Sequence, residues 1–484
     1  PIGVERLFVA YAQIIAQSWP AVSGGRLAMG QIALWWLDAT VRELTLFAAV
    51  GFLIGGVDDL LVDVVWMYHR LRYGSTRRSL ANLPHPEDAR RLAVFVPAWD
   101  EGAVIGPMLR TALARFDHPC FRIYVGCYPN DPVTSGIVAE LAAQDSRVRL
   151  VIATRAGPTT KADNLNEMWR ALRHDDAVDG ETTLAVVLHD AEDVVHPLEL
   201  MVFDALISRY QLVQIPVLPL VDRRARLVSG HYADEFAESH GRHMALRAAL
   251  GAGLPLSGVG CAISVAVLAA MEDAYGAPFD EDSLTEDSEL GLRATALGYR
   301  PCFARVEDWA GRLVAVRAVF PATVEAAVRQ KGRWMTGIAL AGWDRIGWAR
   351  VPHLADHWMR MRDRRGPLAV IVLAAAYLAI VGWGAAALAH TVLGLPVPDF
   401  SEGMRLLLTV NLLLLIWRLG WRVASTGRAY DWHEALWAVP RAIVGNVISM
   451  LAAIRAAAQY VRMLSGSPPR WDKTVHVFPE ELPA

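Results

Sequence analysis

Cysteine is scarce in this chain: Cys120, Cys127, Cys261 and Cys302 are all that its 484 residues contain. No two of them form a CxxC pair, so neither a zinc site nor a disulfide framework is indicated. They read as buried or cytosolic thiols. Basic excess is also missing. A net charge of −3 gives no support to a nucleic-acid partner, which needs a basic surface. No cleavable signal peptide is evident, and the chain opens at Pro1 without a methionine. Val4–Trp19 is expected to form an interfacial helix.

What is present is apolar. Hydrophobic residues make up 54% and charged residues 20%, with a mean hydropathy of +0.27. That is apolar for a soluble protein and too charged for a pure transporter. A soluble domain joined to a few membrane helices satisfies both facts.

Gly366–Leu395 contains no Asp, Glu, Lys or Arg and is predicted to cross a membrane. Arg360, Arg362, Arg364 and Arg365 precede it, which places that flank in the cytoplasm by the positive-inside rule. The loop Pro396–Gly403 has no basic residue and is expected to be periplasmic. A return helix follows at 404–423, with Arg418 and Arg422 back at the inner face. Val41–Leu61 is the first predicted span, followed by His69, Arg70, Arg72, Arg77 and Arg78. A carboxylate at the bilayer centre costs about 2.5–3.5 kcal/mol. Asp58, Asp59 and Asp63 are therefore expected near the interface or facing another helix. Glu434–Leu464 is apolar but interrupted by Pro440, Arg441, Asn446 and Arg455. It reads as an amphipathic helix lying on the membrane or on the cytoplasmic domain, with a fourth crossing as the alternative. The expected divisions are 1–80, 81–352, 353–430 and 431–484.

Arg91–Pro352 reads as a soluble α/β domain. Short apolar strands at Leu92–Val96, Arg122–Cys127, Val148–Ala153 and Leu184–His189 alternate with helical stretches. That rhythm predicts a parallel sheet with crossover helices. Ligands in such sheets sit at the carboxyl ends of the strands, and the polar motifs fall there.

The first strand ends in PAWDE (Pro97–Glu101) and the second in YPND (Tyr128–Asp131). Carboxylates or amides there can accept hydrogen bonds from a nucleotide base, or Asp100 and Asp131 can simply cap helices. After the third strand, GPTTKADNLN offers backbone amides at a helix start plus Lys161, a combination suited to a diphosphate. The alternative is a solvated lysine. The fourth strand ends in HDAED, where Asp190, Glu192 and Asp193 crowd one turn. Crowded like charges call for a cation, and oxygen ligands without cysteine favour Mg²⁺ or Mn²⁺. The alternative is a solvated acidic turn. Thr285–Asp287 (TED) opens a helix. Asp287 can act there as a general base, or Ser283 and Glu286 can form a capping box. SGVGCA (Ser257–Ala262) is a small-residue loop that lets an acceptor approach the backbone. Finally, in QKGRW, Gln330, Arg333 and Trp334 share one helix face. The indole can stack on a pyranose and the guanidinium can fork onto a phosphate. The alternative is an interfacial amphipathic helix.

In order, PAWDE, KADNLN, HDAED, TED and QKGRW resemble the motif series of processive family-2 glycosyltransferases, membrane synthases such as cellulose and hyaluronan synthases. The longer run, with YPNDP, HDAEDVVHP, QIPV, SLTED, RQKGRW and the closing WDKTVHVFP, is similar to the phage-adsorption inner-membrane glycosyltransferases. The resemblance spans about Leu92 to Pro479. It implies a GT-A (Rossmann-like) α/β domain with transmembrane helices. It also implies an inverting, metal-dependent enzyme that builds an exported polysaccharide, with an N-acetylhexosamine as the favoured sugar.

Residue roles follow from the resemblance. Pro97, Asp100, Glu101, Asn130 and Asp131 would hold the uracil end of a UDP-sugar. Lys161 and Asn166 would contact its diphosphate and ribose. Asp190 and Glu192 would hold Mg²⁺ or Mn²⁺. Asp287, with Glu286 beside it, would be the catalytic base. Gly260 and Cys261 would line the acceptor site. Gln330, Arg333 and Trp334 would bracket the acceptor sugar and the diphosphate. The metal motif departs from DxD, so Asp193 joins the ligand set. YPNDP replaces the usual DDG after the second strand. The partners implied are the UDP-sugar, the growing glycan, the lipid bilayer and a periplasmic or outer-membrane export protein. Two alternatives stay open: a non-processive enzyme adding one sugar to a polyprenyl phosphate, and a non-catalytic envelope scaffold or phage-adsorption component.

Overall fold

The computed structural model describes residues 29–84, 89–466 and 478–479. The expected Val4–Trp19 helix and most of WDKTVHVFP lie outside the described residues. Among the described residues, four helices are long and apolar enough to cross a membrane: Gly30–Tyr73, Gly366–Leu393, Glu402–Ala429 and Trp432–Leu464. The first is much longer than Val41–Leu61, because nothing breaks the helix from Met29 to Tyr73. The last is one continuous helix with Pro440 inside it.

The chain divides into two compact units, one of residues 1–52 and 374–409, the other of residues 53–373 and 410–484. In the smaller, helices are joined by polar contacts in apolar surroundings. Trp383 Nε1 donates to Thr45 Oγ1 at 2.9 Å, and His390 meets Asp38 at 2.9 Å.

The larger unit contains the α/β domain. Its strands are β1 (Arg77–Ser79), β2 (Leu92–Pro97), β3 (Phe121–Cys127), β4 (Val148–Ile152), β5 (Ala185–Leu188) and β6 (Leu212–Gln214). They continue with β7 (Val217–Leu220), β8 (Cys261–Ser264), β9 (Pro301–Phe303), β10 (Arg305–Glu307) and β11 (Val316–Val319). Seven strands form the main sheet in the order β4-β3-β2-β5-β8-β6-β9. The sheet is mixed, not all parallel: β8 runs antiparallel to both β5 and β6. Two small parallel pairs, β1 with β10 and β7 with β11, flank it.

Alternation along each strand feeds two cores. Leu92, Val94 and Val96 enter one; Ala93 and Phe95 enter the other, with Tyr124 and Trp169. Both faces of the sheet are thus covered, as parallel strands require. One close approach fixes the helix Glu286–Ala296 against the site. A methyl on Gly291 would meet the backbone of Leu254 and Leu256, the Leu256 nitrogen lying 3.0 Å away. Gly291→Ala is expected to destabilise the fold by about 1–3 kcal/mol through overpacking, measured by denaturant melting in detergent.

The polar residues of the long helices are used inside this unit. Arg362 Nη2 reaches Asp59 at 2.8 Å and Arg365 Nη1 reaches Asp58 at 2.6 Å, so these aspartates face another helix segment. Asp63 pairs with Arg242 at 2.6 Å and accepts from Trp417 at 2.8 Å. Arg441, in the last long helix, is fully buried and reaches Asp234, Glu434 and the carbonyl of Arg226.

Candidate active site

Three loops carry the polar groups at the carboxyl ends of β2, β3 and β5. After β2, Asp100 takes a left-handed backbone (φ 53°). Its amide donates to Asp131 Oδ2 at 2.6 Å, while Asp131 Oδ1 accepts from Thr134 N at 3.2 Å. Asp131 therefore caps the helix Pro132–Gln144 and also pins the PAWDE turn. Asn130 is equally committed: its amide group exchanges hydrogen bonds of 2.8 and 2.7 Å with the backbone of Gly157. A methyl on Gly157 would press on the rings of Trp99 and Tyr128 at 2.7–2.8 Å. Those rings meet edge to face at 5.2 Å. This aromatic corner lies beside the loops that the resemblance assigns to the base. Aromatic residues near a strand end gave no signal of their own.

Thr160 caps the helix Lys161–Asp179 by accepting from Asp163 N. Lys161 is not solvated. Its Nζ lies 2.5 Å from Asp190 Oδ1 and its side chain is 15% exposed. Burial opposes its charge, but Asp190, Glu286 and Asp287 outweigh burial and hold it protonated. Asn166 sits elsewhere: buried, it spends both ends of its amide on the backbone of Phe279, at 2.9 and 3.1 Å. Those two bonds commit it to positioning the Phe279 segment.

In HDAED the three acids separate. His189 is fully buried and touches Asp193 at 3.0 Å and Glu199 at 2.6 Å. Asp193 also accepts from Asp190 N at 3.0 Å. Asp193 thus turns inward to tie the loop, which removes it from the ligand set. Burial works against a charged His189, yet Glu199 and Asp193 lift its pKa to about 10. Glu192 remains with Asp190. Burial, then Asp190, Asp193 and Glu101, push its carboxyl well above the usual range. Among the described residues, no three His, Cys, Asp or Glu side chains converge as a ready-made metal cage. Asp190 and Glu192 still fit a divalent cation, because their crowded negative charge, Glu192 buried and Asp190 partly open to solvent, asks for one.

The TED helix starts at Glu286 with Thr285 as its cap residue, and no side chain caps it. The capping-box alternative does not form. Ser283 Oγ instead accepts from Thr285 N and donates to Glu289. Asp287 is aimed at the small-residue loop. Its Oδ2 lies 2.6 Å from where a methyl on Gly258 would stand, and Lys161 Nζ lies 3.5 Å from the same point. Gly258 has φ +74°, so only glycine readily fits there. Burial, then Glu286, raise the pKa of Asp287, while Lys161 lowers it by less. Gln214 holds this loop: its amide nitrogen donates to the carbonyls of Val259 and Gly260, and its oxygen accepts from Ser257 N at 2.9 Å. Cys261 does not line an open site, because it is fully buried within β8.

QKGRW ends the helix Val324–Trp334. Trp334 packs against Tyr232, Phe236 and Phe320 with ring centroids 6.0–6.4 Å apart. Lys331 pairs with Glu235 at 2.6 Å. Gln330 Oε1 and Arg333 Nε are buried without hydrogen-bond partners among the described residues. Buried orphans of this kind are costly unless something else satisfies them. The structure therefore gathers Lys161, Asp190, Glu192, Glu286, Asp287 and Gly258, and sets Asp193, Asn166 and Cys261 into supporting positions.

The sequence profile described as glycosyltransferase-like family 2 matches residues 89–337, the stretch that carries every one of these groups. The chain belongs to that family. Within it, bacteriophage adsorption protein B of Escherichia coli K12 is 35% identical over 477 residues, covering 92% of this chain and 63% of that protein. Bacteriophage N4 adsorption protein B of E. coli O157:H7 matches with the same identity and coverage. The chain thus spans a little under two thirds of the length of these relatives. Among solved structures, a mannosyltransferase from Pyrobaculum calidifontis, in complex with GDP-Man and Mn²⁺, is similar at a TM-score of 0.50. Its identity is 17%, and the match covers 87% of this chain and 99% of that one. That likeness concerns the fold, and the family-2 domain here has the GT-A fold.

Proposed function

We propose that this family-2 glycosyltransferase moves a sugar from a UDP-sugar onto a glycan hydroxyl with inversion, and repeats the step. The observation that carries the reading is the half-buried Asp287 carboxylate set against the Gly258 loop and beside Lys161. The acceptor hydroxyl gives its proton to Asp287, and its oxygen bonds to the anomeric carbon. The bond from that carbon to the diphosphate oxygen breaks, and UDP leaves with the electron pair. Lys161 supplies positive charge near the departing diphosphate. The Arg333 guanidinium, with its orphaned nitrogen, adds more. Mg²⁺ or Mn²⁺ held by Asp190 and Glu192 would neutralise diphosphate charge when bound.

The setting proposed is a bacterial inner membrane, with the α/β domain cytoplasmic and an export protein in the periplasm or outer membrane receiving the product. Arginine-rich flanks at Arg360–Arg365 support that orientation. The favoured sugar is an N-acetylhexosamine. One observation favours single transfer instead: Trp334 packs within an aromatic cluster rather than standing as a free platform. Membranes holding the protein, given UDP-sugars with Mn²⁺ or Mg²⁺, decide the matter through UDP release and product length. Polymer is the expected product. A product one sugar long would end the processive reading, and no turnover with any donor would end the enzymatic one.

The pH profile offers a second check. Asp287 must be ionised to take a proton, and burial with Glu286 raises its pKa. Activity should therefore fall on acidification at a pH above the ordinary aspartate value of about 4. Glu286→Gln should move that acid limb downward. An unmoved limb would show that another group sets it.

A further inference from the structure

A cavity of about 810 Å³ lies where the 311–317 loop and β10 meet the ends of the first and third long helices. Its lining includes Arg70, Arg305, Arg317 and Arg428, with Trp66 and Trp421, and none of Lys161, Asp190 or Asp287. Three further arginines of the wall are matched by acids: Arg77 by Glu307, Arg242 by Asp63 and Arg312 by Asp308. The four named first have no carboxylate within ion-pair distance among the described residues.

Arg305 is the most telling. It is 7% exposed, and among the described residues its side chain donates only to Thr76, at 3.2 Å, and its Nε has no partner. Burial, with Arg77 and Arg70 nearby, pulls its pKa down to about 10. Leaving a cation buried and unpaired costs several kcal/mol. A counter-anion in the cavity removes that cost.

We propose that this cavity binds a phosphate-bearing anion with at least two negative charges. Guanidinium forks match phosphoryl oxygens in pairs. The volume falls in the range of small-molecule sites, and Trp66, Trp421 and Leu218 offer apolar walls to the rest of the ligand. Two sources share this chemistry: the headgroup of an anionic phospholipid, reached along the long helices, and a soluble diphosphate compound. The site is independent of the transferase reading.

The test uses the full chain and its melting temperature. One arm adds inorganic pyrophosphate in detergent. The other compares nanodiscs of phosphatidylcholine alone with nanodiscs containing phosphatidylglycerol. At least one probe is expected to raise the melting temperature of the wild type and equally that of Asp287→Asn. The gain should vanish in the Arg317→Gln/Arg428→Gln double variant. Arg70→Gln and Arg428→Gln, singly and on the exposed rim, should reduce it even if the double variant does not fold. Pyrophosphate alone acting assigns the soluble source, and phosphatidylglycerol alone acting assigns the lipid. The proposal fails if neither probe stabilises the wild type, or if the arginine variants respond in full. It also fails if Lys161→Gln alone abolishes the response, since that places the anion at the catalytic site.

Discussion

Asp287→Asn is expected to lower turnover by about 10²–10⁴-fold, the usual contribution of a general base, while UDP binding persists. The amide keeps the volume of the carboxylate, so the Gly258 loop it abuts keeps its shape. What disappears is the proton acceptor. Lys161 keeps Asp190 at 2.5 Å as its partner, so the diphosphate side of the site stays intact. UDP release under saturating donor measures the first effect, and titration of UDP by calorimetry measures the second. If UDP binding collapsed with activity, Asp287 would be a donor-positioning residue and the base would have to be sought elsewhere.

His189→Gln should be the costliest single change to stability, about 3–5 kcal/mol, the range for removing one partner of a buried ion pair. Asp193 and Glu199 are 2% and 0% exposed and would face each other without the imidazolium. The pH dependence has a definite sign. The folded-state pKa is raised to about 10, above the ordinary histidine value of about 6.5. The stabilisation is therefore complete below about 6.5 and is lost as pH rises through the folded value. Denaturant melting of wild type and variant from neutral to alkaline pH should show the gap narrowing. A gap below about 1 kcal/mol at neutral pH, the size of a neutral hydrogen bond, would mean that His189 is not charged.

The strands near the site were readable because buried strands are short apolar runs between turn residues. The expected segments at Leu92–Val96, Arg122–Cys127 and Val148–Ala153 differ from β2, β3 and β4 by one residue at one end, and Leu184–His189 exceeds β5 by one residue at each end. The β8 strand was not readable. CAIS is short and follows a glycine-rich loop, and its antiparallel place depends on β5 and β6. The same limit applied to the acids. Spacing put Asp190, Glu192 and Asp193 together, but only the fold shows Asp193 facing His189. Gln214 was visible only as part of a motif, since its task depends on a loop more than forty positions downstream. The arginines of the cavity lie too far apart in sequence to form a pattern, and Arg70 by itself reads as a membrane flank.

The cluster of Asp58, Asp59, Arg362 and Arg365 has a consequence for synthesis on the ribosome. Its acidic half is made first, and Arg362 follows Asp58 by 304 residues. Through that whole interval the aspartates lack the arginines that pair with them in the folded protein. When Arg362 and Arg365 emerge, the clasp closes around a completed catalytic domain. Mature architecture at the base of the first helix is thus a late event, timed by translation of the second half of the chain. A nascent chain stalled before Arg362 should leave this region open to protease, and one stalled well after Arg365 should not.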